Sequence, residues 1–133
     1  MKVLITHTKG AQFSAENMQG HKIIIDLKKK DDGFEEGQIP TEVLASALGA
    51  CVGSTVRVFC LRHAIPFDGL TIRVDFEKVE NPSRLAKIDV ELAFPGEFDE
   101  KYRRALIRAA EQCTIHNTLT YPPEIVTRIK GQR

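Results

Sequence analysis

Three cysteines, Cys51, Cys60 and Cys113, are the side chains of this 133-residue sequence best suited to chemistry. So few, and an odd number, do not make a secreted disulfide scaffold, so a bridge between any two of them points to redox chemistry. Cys51 lies in LGACVG, in the middle of a predicted helix, and Cys113 falls on the inner stripe of a second one. Helices that share a core can bring two thiols within exchange distance. Cys60 is nine positions after Cys51 and so faces the opposite side of the same helix. Taken singly, each cysteine reads as a small buried hydrophobe. Taken together, Cys51 and Cys113 are the candidate reactive pair.

Other chemistries find less support. Cys113 and His116 stand at i and i+3 in CTIH, and His7, His21 and His63 are the remaining possible ligands. With no CxxC and no HxxxH, no metal site is expected. His116 is read instead as a helix-end residue that interacts with the last carbonyls. There is no GxSxG elbow, no GxGxxG and no P-loop, so neither a hydrolase nor a nucleotide cofactor is indicated.

The elements that must position these thiols follow from hydrophobic periodicity. Three short runs, VLITHT, AQFSAE and HKIIIDL, predict a three-stranded meander, and the mixed-charge stretch Lys28–Gly37 predicts a solvated loop. Pro40 and Thr41 then open a helix of about six turns that Pro66 ends. The 14 residues between Glu42 and Arg57 carry no charge, so this helix is expected to be buried nearly all round. So small a chain can hardly wrap a helix completely, which calls for a second subunit. Ala45, Gly49 and Gly53 recur every four residues as a stripe for close approach. We expect two such helices to meet there in a homodimer, with packing against the chain's own sheet as the alternative. Leu70–Glu77 and Ala86–Phe94 alternate as two half-buried strands, a second helix is predicted from Asp99 to about Asn117, and EIVTRIK reads as a closing strand. The order β-β-β-α-β-β-α-β defines a single α+β domain spanning residues 1–133.

Nineteen Lys and Arg against 18 Asp and Glu leave a net charge of +1 and a pI near 7.7, which speaks against nucleic acid as a partner. No uncharged stretch approaches the roughly 20 residues of a membrane span, and the N-terminus lacks a secretory apolar region. The expectation is a soluble, cytoplasmic protein with no membrane partner.

The segment PTEVLASALGACVGSTV resembles the central-helix motif of the OsmC/Ohr superfamily, named for osmotic induction and organic hydroperoxide resistance. AAEQCTIHNTLTYPPEIVTRI resembles its second motif, and the order of the flanking elements agrees over essentially the whole chain. The resemblance implies an intertwined homodimer with two equivalent interface sites. In each, Cys51 would be the peroxidatic thiolate and Cys113 the resolving thiol. A hydroperoxide would oxidise Cys51 to a sulfenic acid, a Cys51–Cys113 disulfide would follow, and an external dithiol of lipoyl type would reduce it with no metal or haem cofactor. Two positions depart from the peroxidase pattern. The first arginine of the chain is Arg57, so the N-terminal cation of the peroxidase branches is absent, leaving Lys28, Lys29, Lys30, Arg57 or a residue of the second half to replace it. The acid is displaced by one residue, to Glu42, about 13 Å along the helix from Cys51, where a first-turn role at the helix dipole competes with a catalytic one. These departures resemble the broader OsmC-like branch. The alternative function is a non-catalytic dimer that binds a small hydrophobic molecule at its interface.

Overall fold

The computed structural model describes residues 1–131. Alternating β-formers and the glycine turns at Gly10 and Gly20 give β1 (Val3–Lys9), β2 (Gln12–Asn17) and β3 (Lys22–Ile25), an antiparallel sheet in the order β1-β2-β3. Its register pairs Val3 with Asn17 and Phe13 with Ile25. The helix α1 runs from Pro40 to Arg62, and the hairpin β4 (Thr71–Val79) and β5 (Arg84–Ala93) follows. Two further helices, α2 (Arg103–Glu111) and α3 (Thr114–Thr120), complete the regular structure. The chain divides into two compact units: Met1–Ala47 with Asp75–Ile88, and Leu48–Val74 with the described residues from Asp89 onward.

In the first unit the predicted solvated loop is organised by a buried carboxylate that the charge pattern concealed. Asp26 is 1% exposed and accepts hydrogen bonds from the Gln12 amide at 2.9 Å, from Leu27 N–H at 2.8 Å and from the Phe34 and Glu36 N–H groups. Burial opposes its charge, and these donors outweigh burial, holding its carboxyl at about 2. Glu36 takes the other side of the network, between Lys9 at 2.7 Å and the Gln12 amide at 2.9 Å. Every partner of Asp26 is a donor, so the site requires a group that only accepts. Asp26→Asn turns an NH2 group against N–H donors and is expected to lower the melting temperature by roughly 5–10 °C at neutral pH. The folded carboxyl lies below its ordinary 3.8, so its stabilisation is complete above that value and fades as pH falls toward about 2. Melting curves of both proteins should therefore keep a constant gap from pH 7 to 5 and converge below pH 4.

The second unit holds the larger core. Leu48, Val52, Val56 and Cys60, four residues apart, form a buried row along α1, joined by Ile65, Leu106, Ala110 and Cys113. The Phe59, His63 and Tyr102 rings stack beside it, with His63 at 4.3 Å from Phe59 and 4.9 Å from Tyr102. α1 ends where Ala64 turns left-handed (φ 52°) and the Ile65 N–H reaches back to the Cys60 carbonyl at 2.9 Å, a Schellman closure just ahead of Pro66.

Three findings bear on the expectations. First, one chain does not wrap α1: Leu44, Ala47, Ala50, Ser54, Val58 and Leu61 form an exposed row on it in the protomer. At 23 residues, with an 18-residue stretch of mean hydropathy 1.7, α1 is by length and composition alone long and apolar enough to cross a membrane, which the uncharged-run criterion missed because that criterion stops at Arg57. Second, the glycine stripe faces the chain's own hairpin. A Cβ at Gly49 would stand 3.3 Å from Val74 Cγ2, and one at Gly53 3.0 Å from Ile72 Cδ1, so the stripe makes room for β4. Third, residues 122–130 form no strand among the described residues, because the segment is exposed and no neighbouring strand pairs with it.

Candidate redox site

Cys51 lies midway along α1, half-buried, and Cys113 is fully buried; both are free thiols in the second unit. The predicted single second helix would have put Cys113 on an inner stripe. It is broken instead: Gln112 closes α2, Cys113 is extended (φ −72°, ψ 149°), and a new helix starts at Thr114. Cys113 is therefore the N-cap of α3, its Sγ accepting from His116 N–H at 3.1 Å, as a serine oxygen does at this position. His116 thus stands at the start of a helix and not, as expected, at its end.

This break creates the site. A helix leaves its first N–H groups without intrahelical partners, and in α3 two of them, on Thr114 and Ile115, lie near enough to the Cys51 sulfur to favour its thiolate. The Ile115 N–H contributes most to holding the Cys51 thiol below its ordinary value. Burial opposes it, and the hydrogen bonds from the Cys113 thiol and the Thr114 N–H add to it. None of these contributions is a cation. Cys113 shifts the other way. Burial pushes its thiol up, and the neighbouring Cys51 sulfur raises it further against the N–H groups of His116 and Ile115. The pair is polarised: the hydrogen bonds favour the thiolate at Cys51, and burial favours the thiol at Cys113.

The other candidates lie apart from the pair. Cys60, on the far side of α1, is 0% exposed, and burial raises its thiol, as expected for core filling. Glu42 is exposed in the first turn of α1, where its Oε1 accepts from Ile39 N–H at 3.0 Å, the role of a capping acid. Among the described residues no group of three His, Cys, Asp or Glu is placed to hold a metal ion. The Thr114 and Ile115 N–H groups went unnoticed in the sequence because every residue but proline carries such a donor. Only the helix break turns these two toward a sulfur.

The fold and this pair define an α+β protein with a polarised dithiol. Residues 31–128 match the family model described as OsmC-like protein, and the chain belongs to that family. No curated protein sequence matches it. Solved structures of the same fold include a Psychrobacter arcticus protein assigned to osmotic stress induction and detoxification response, with TM-score 0.82, 23% identity, and 89% of this chain and 87% of that one covered. An OsmC-like protein of unknown function from Vibrio cholerae aligns with TM-score 0.74 at 15% identity over 88% and 91%. An organic hydroperoxide resistance protein from Elizabethkingia anophelis aligns with TM-score 0.65 at 19% identity over 89% and 87%.

Proposed function

We propose that the protein is a thiol-dependent peroxidase for organic hydroperoxides. The observation that carries this reading is the partly buried Cys51, whose thiol is lowered by the Ile115 and Thr114 N–H groups and by the neighbouring, fully buried Cys113. The Cys51 thiolate attacks the peroxide; the O–O bond breaks, an S–O bond forms, and the alkoxide leaves as an alcohol once protonated. Cys113 then attacks the sulfenic sulfur, which loses its hydroxyl as water, and the disulfide forms. An external dithiol of lipoyl type returns both thiols by two exchanges, with no metal or cofactor in the cycle. Glu42 enters this proposal only through a second subunit. The cytoplasm, where thiols stay reduced, is the compartment in which such a cycle runs. One equivalent of cumene hydroperoxide is expected to yield a Cys51–Cys113 disulfide by mass spectrometry, faster than hydrogen peroxide does, with Cys60 left free. A Cys51 that remains a thiol would refute the reading.

The second reading is a non-catalytic dimer that binds a small hydrophobic molecule at its interface, and an apolar groove of the protomer supports the binding part of it. The groove measures about 610 Å³ in the first unit and is lined by Ile23, Ile24, Val43 and Ala47, with Glu36, Gln38 and Ser46. Inert thiols together with saturable binding of an apolar probe would support it.

We further propose the homodimer. Its support is the exposed row on α1, the exposed Val3, Leu4, Ile5 and Ile23 of the sheet, and the unpaired stretch carrying Ile125, Val126 and Ile129. Monomers lack the apolar cover that such surfaces call for. Sedimentation should give a dimer at micromolar concentration, and removal of the residues after Pro122 should weaken it at least tenfold. A monomer in dilute runs of the intact chain would refute this assembly.

A further inference from the structure

We infer that the His116 imidazole is the base that takes the proton from Cys113 when Cys113 attacks an oxidised Cys51. The inference rests on the assignment of those two thiols as the reactive pair. Cys113 has a problem that Cys51 lacks. It is fully buried, its proton lies in the hydrogen bond to Cys51, and burial keeps it in the thiol form. The thiolate is the nucleophile, so the step that closes the disulfide needs somewhere for that proton to go.

The residues around Cys113 leave few acceptors. Cys113 itself aside, from Gln112 to Thr120 the chain carries only amides, hydroxyls and apolar groups apart from His116; Glu111 ends α2, exposed, and Tyr121 follows the far end of α3. Cys51 is the titratable group that α1 presents to the pair. His116 occupies the third position of α3, on the same turn as the N-cap residue Cys113. Its backbone N–H already touches the Cys113 sulfur at 3.1 Å. Its Nδ1 is buried and has no hydrogen-bond partner. A buried ring nitrogen without a partner calls for an explanation, and a proton arriving from the adjacent thiol supplies one.

The step balances. Nδ1 takes the proton from Cys113 Sγ; the resulting thiolate forms the S–S bond with the Cys51 sulfur. The S–O bond of the sulfenic acid breaks with its electron pair on oxygen, and the imidazolium returns the proton to that oxygen, releasing water.

An aromatic disulfide, dithiodipyridine, tests this without any peroxide. Cys51 displaces a first coloured thiopyridone, and Cys113 displaces the second as it closes the same disulfide. In His116→Gln the rate of the second phase relative to the first is expected to fall roughly 100-fold. His116→Ala should behave alike, and added imidazole should restore its second phase. The assignment is overturned by a wild-type ratio in His116→Gln, by a His116→Ala defect that imidazole leaves untouched, or by a wild-type trace with no second phase. A wild-type protein that closes the disulfide with dithiodipyridine but stays reduced with cumene hydroperoxide would refute the peroxidase reading alone.

Discussion

Replacing Cys51 by serine is expected to reduce hydroperoxide turnover roughly a thousandfold or more, to the uncatalysed rate, because a hydroxyl cannot supply the nucleophile that a thiolate does. Cys113→Ser should act differently. Its first oxidation proceeds, and the sulfenic acid on Cys51 then accumulates, where dimedone traps it for mass spectrometry, while sustained turnover is lost. Alkylation should follow the same polarity. Near neutral pH iodoacetamide should modify Cys51 well before Cys60 or Cys113, since hydrogen-bond donors outweigh burial only at Cys51 and burial raises the other two. Because those donors include the backbone N–H groups of Thr114 and Ile115, alanine at Lys28, Lys29, Lys30 or Arg57 should leave alkylation of Cys51 near its wild-type rate. A tenfold loss at any one of them would show that a cation, and not the start of α3, governs the thiolate.

Gly33→Ala is expected to cost roughly 3 kcal/mol or more, or about 10 °C of melting temperature in a domain of this size. A Cβ at Gly33 would stand 1.9 Å from the Leu27 carbonyl oxygen and 2.2 Å from its carbon, inside the backbone of the neighbouring segment. No rotamer change relieves a clash with main chain. The loop would have to move, carrying with it the Phe34 and Glu36 N–H groups that hold the Asp26 carboxylate. Gly96→Ala is the control: nothing lies within 4 Å of a Cβ there, so its melting temperature should stay within a degree or two of wild type. Equal melting temperatures for the two variants would mean that the loop yields at little cost and that the Asp26 network does not depend on its close approach.

Local pattern accounts for what could be read from residues alone. The uncharged run and the proline at its start mark α1, two-residue alternation marks the inner face of β4, and the glycines at Gly10 and Gly20 punctuate the meander. Cys51 and Cys113 each stood out as a candidate, since both fall on stretches that read as apolar helix. Each of these features is set by neighbours a few positions away, so the sequence determines them by itself. The tertiary structure decided the rest. The stripe Gly49–Gly53 is equally suited to a partner helix or to β4, and only the hairpin's return over α1 selects Ile72 and Val74 as its contacts. The apolar period from Leu106 through Ala110 to Cys113 continues without a proline or glycine, which is why the helix break was not visible in the sequence. Asp26 looked like one more charge beside a charged loop until four donors from three segments converged on it. Most consequential is which of the two sulfurs is favoured as the thiolate. It depends on backbone N–H groups that every sequence has, and only the fold, by starting a helix at Thr114 opposite the middle of α1, aims two of them at Cys51.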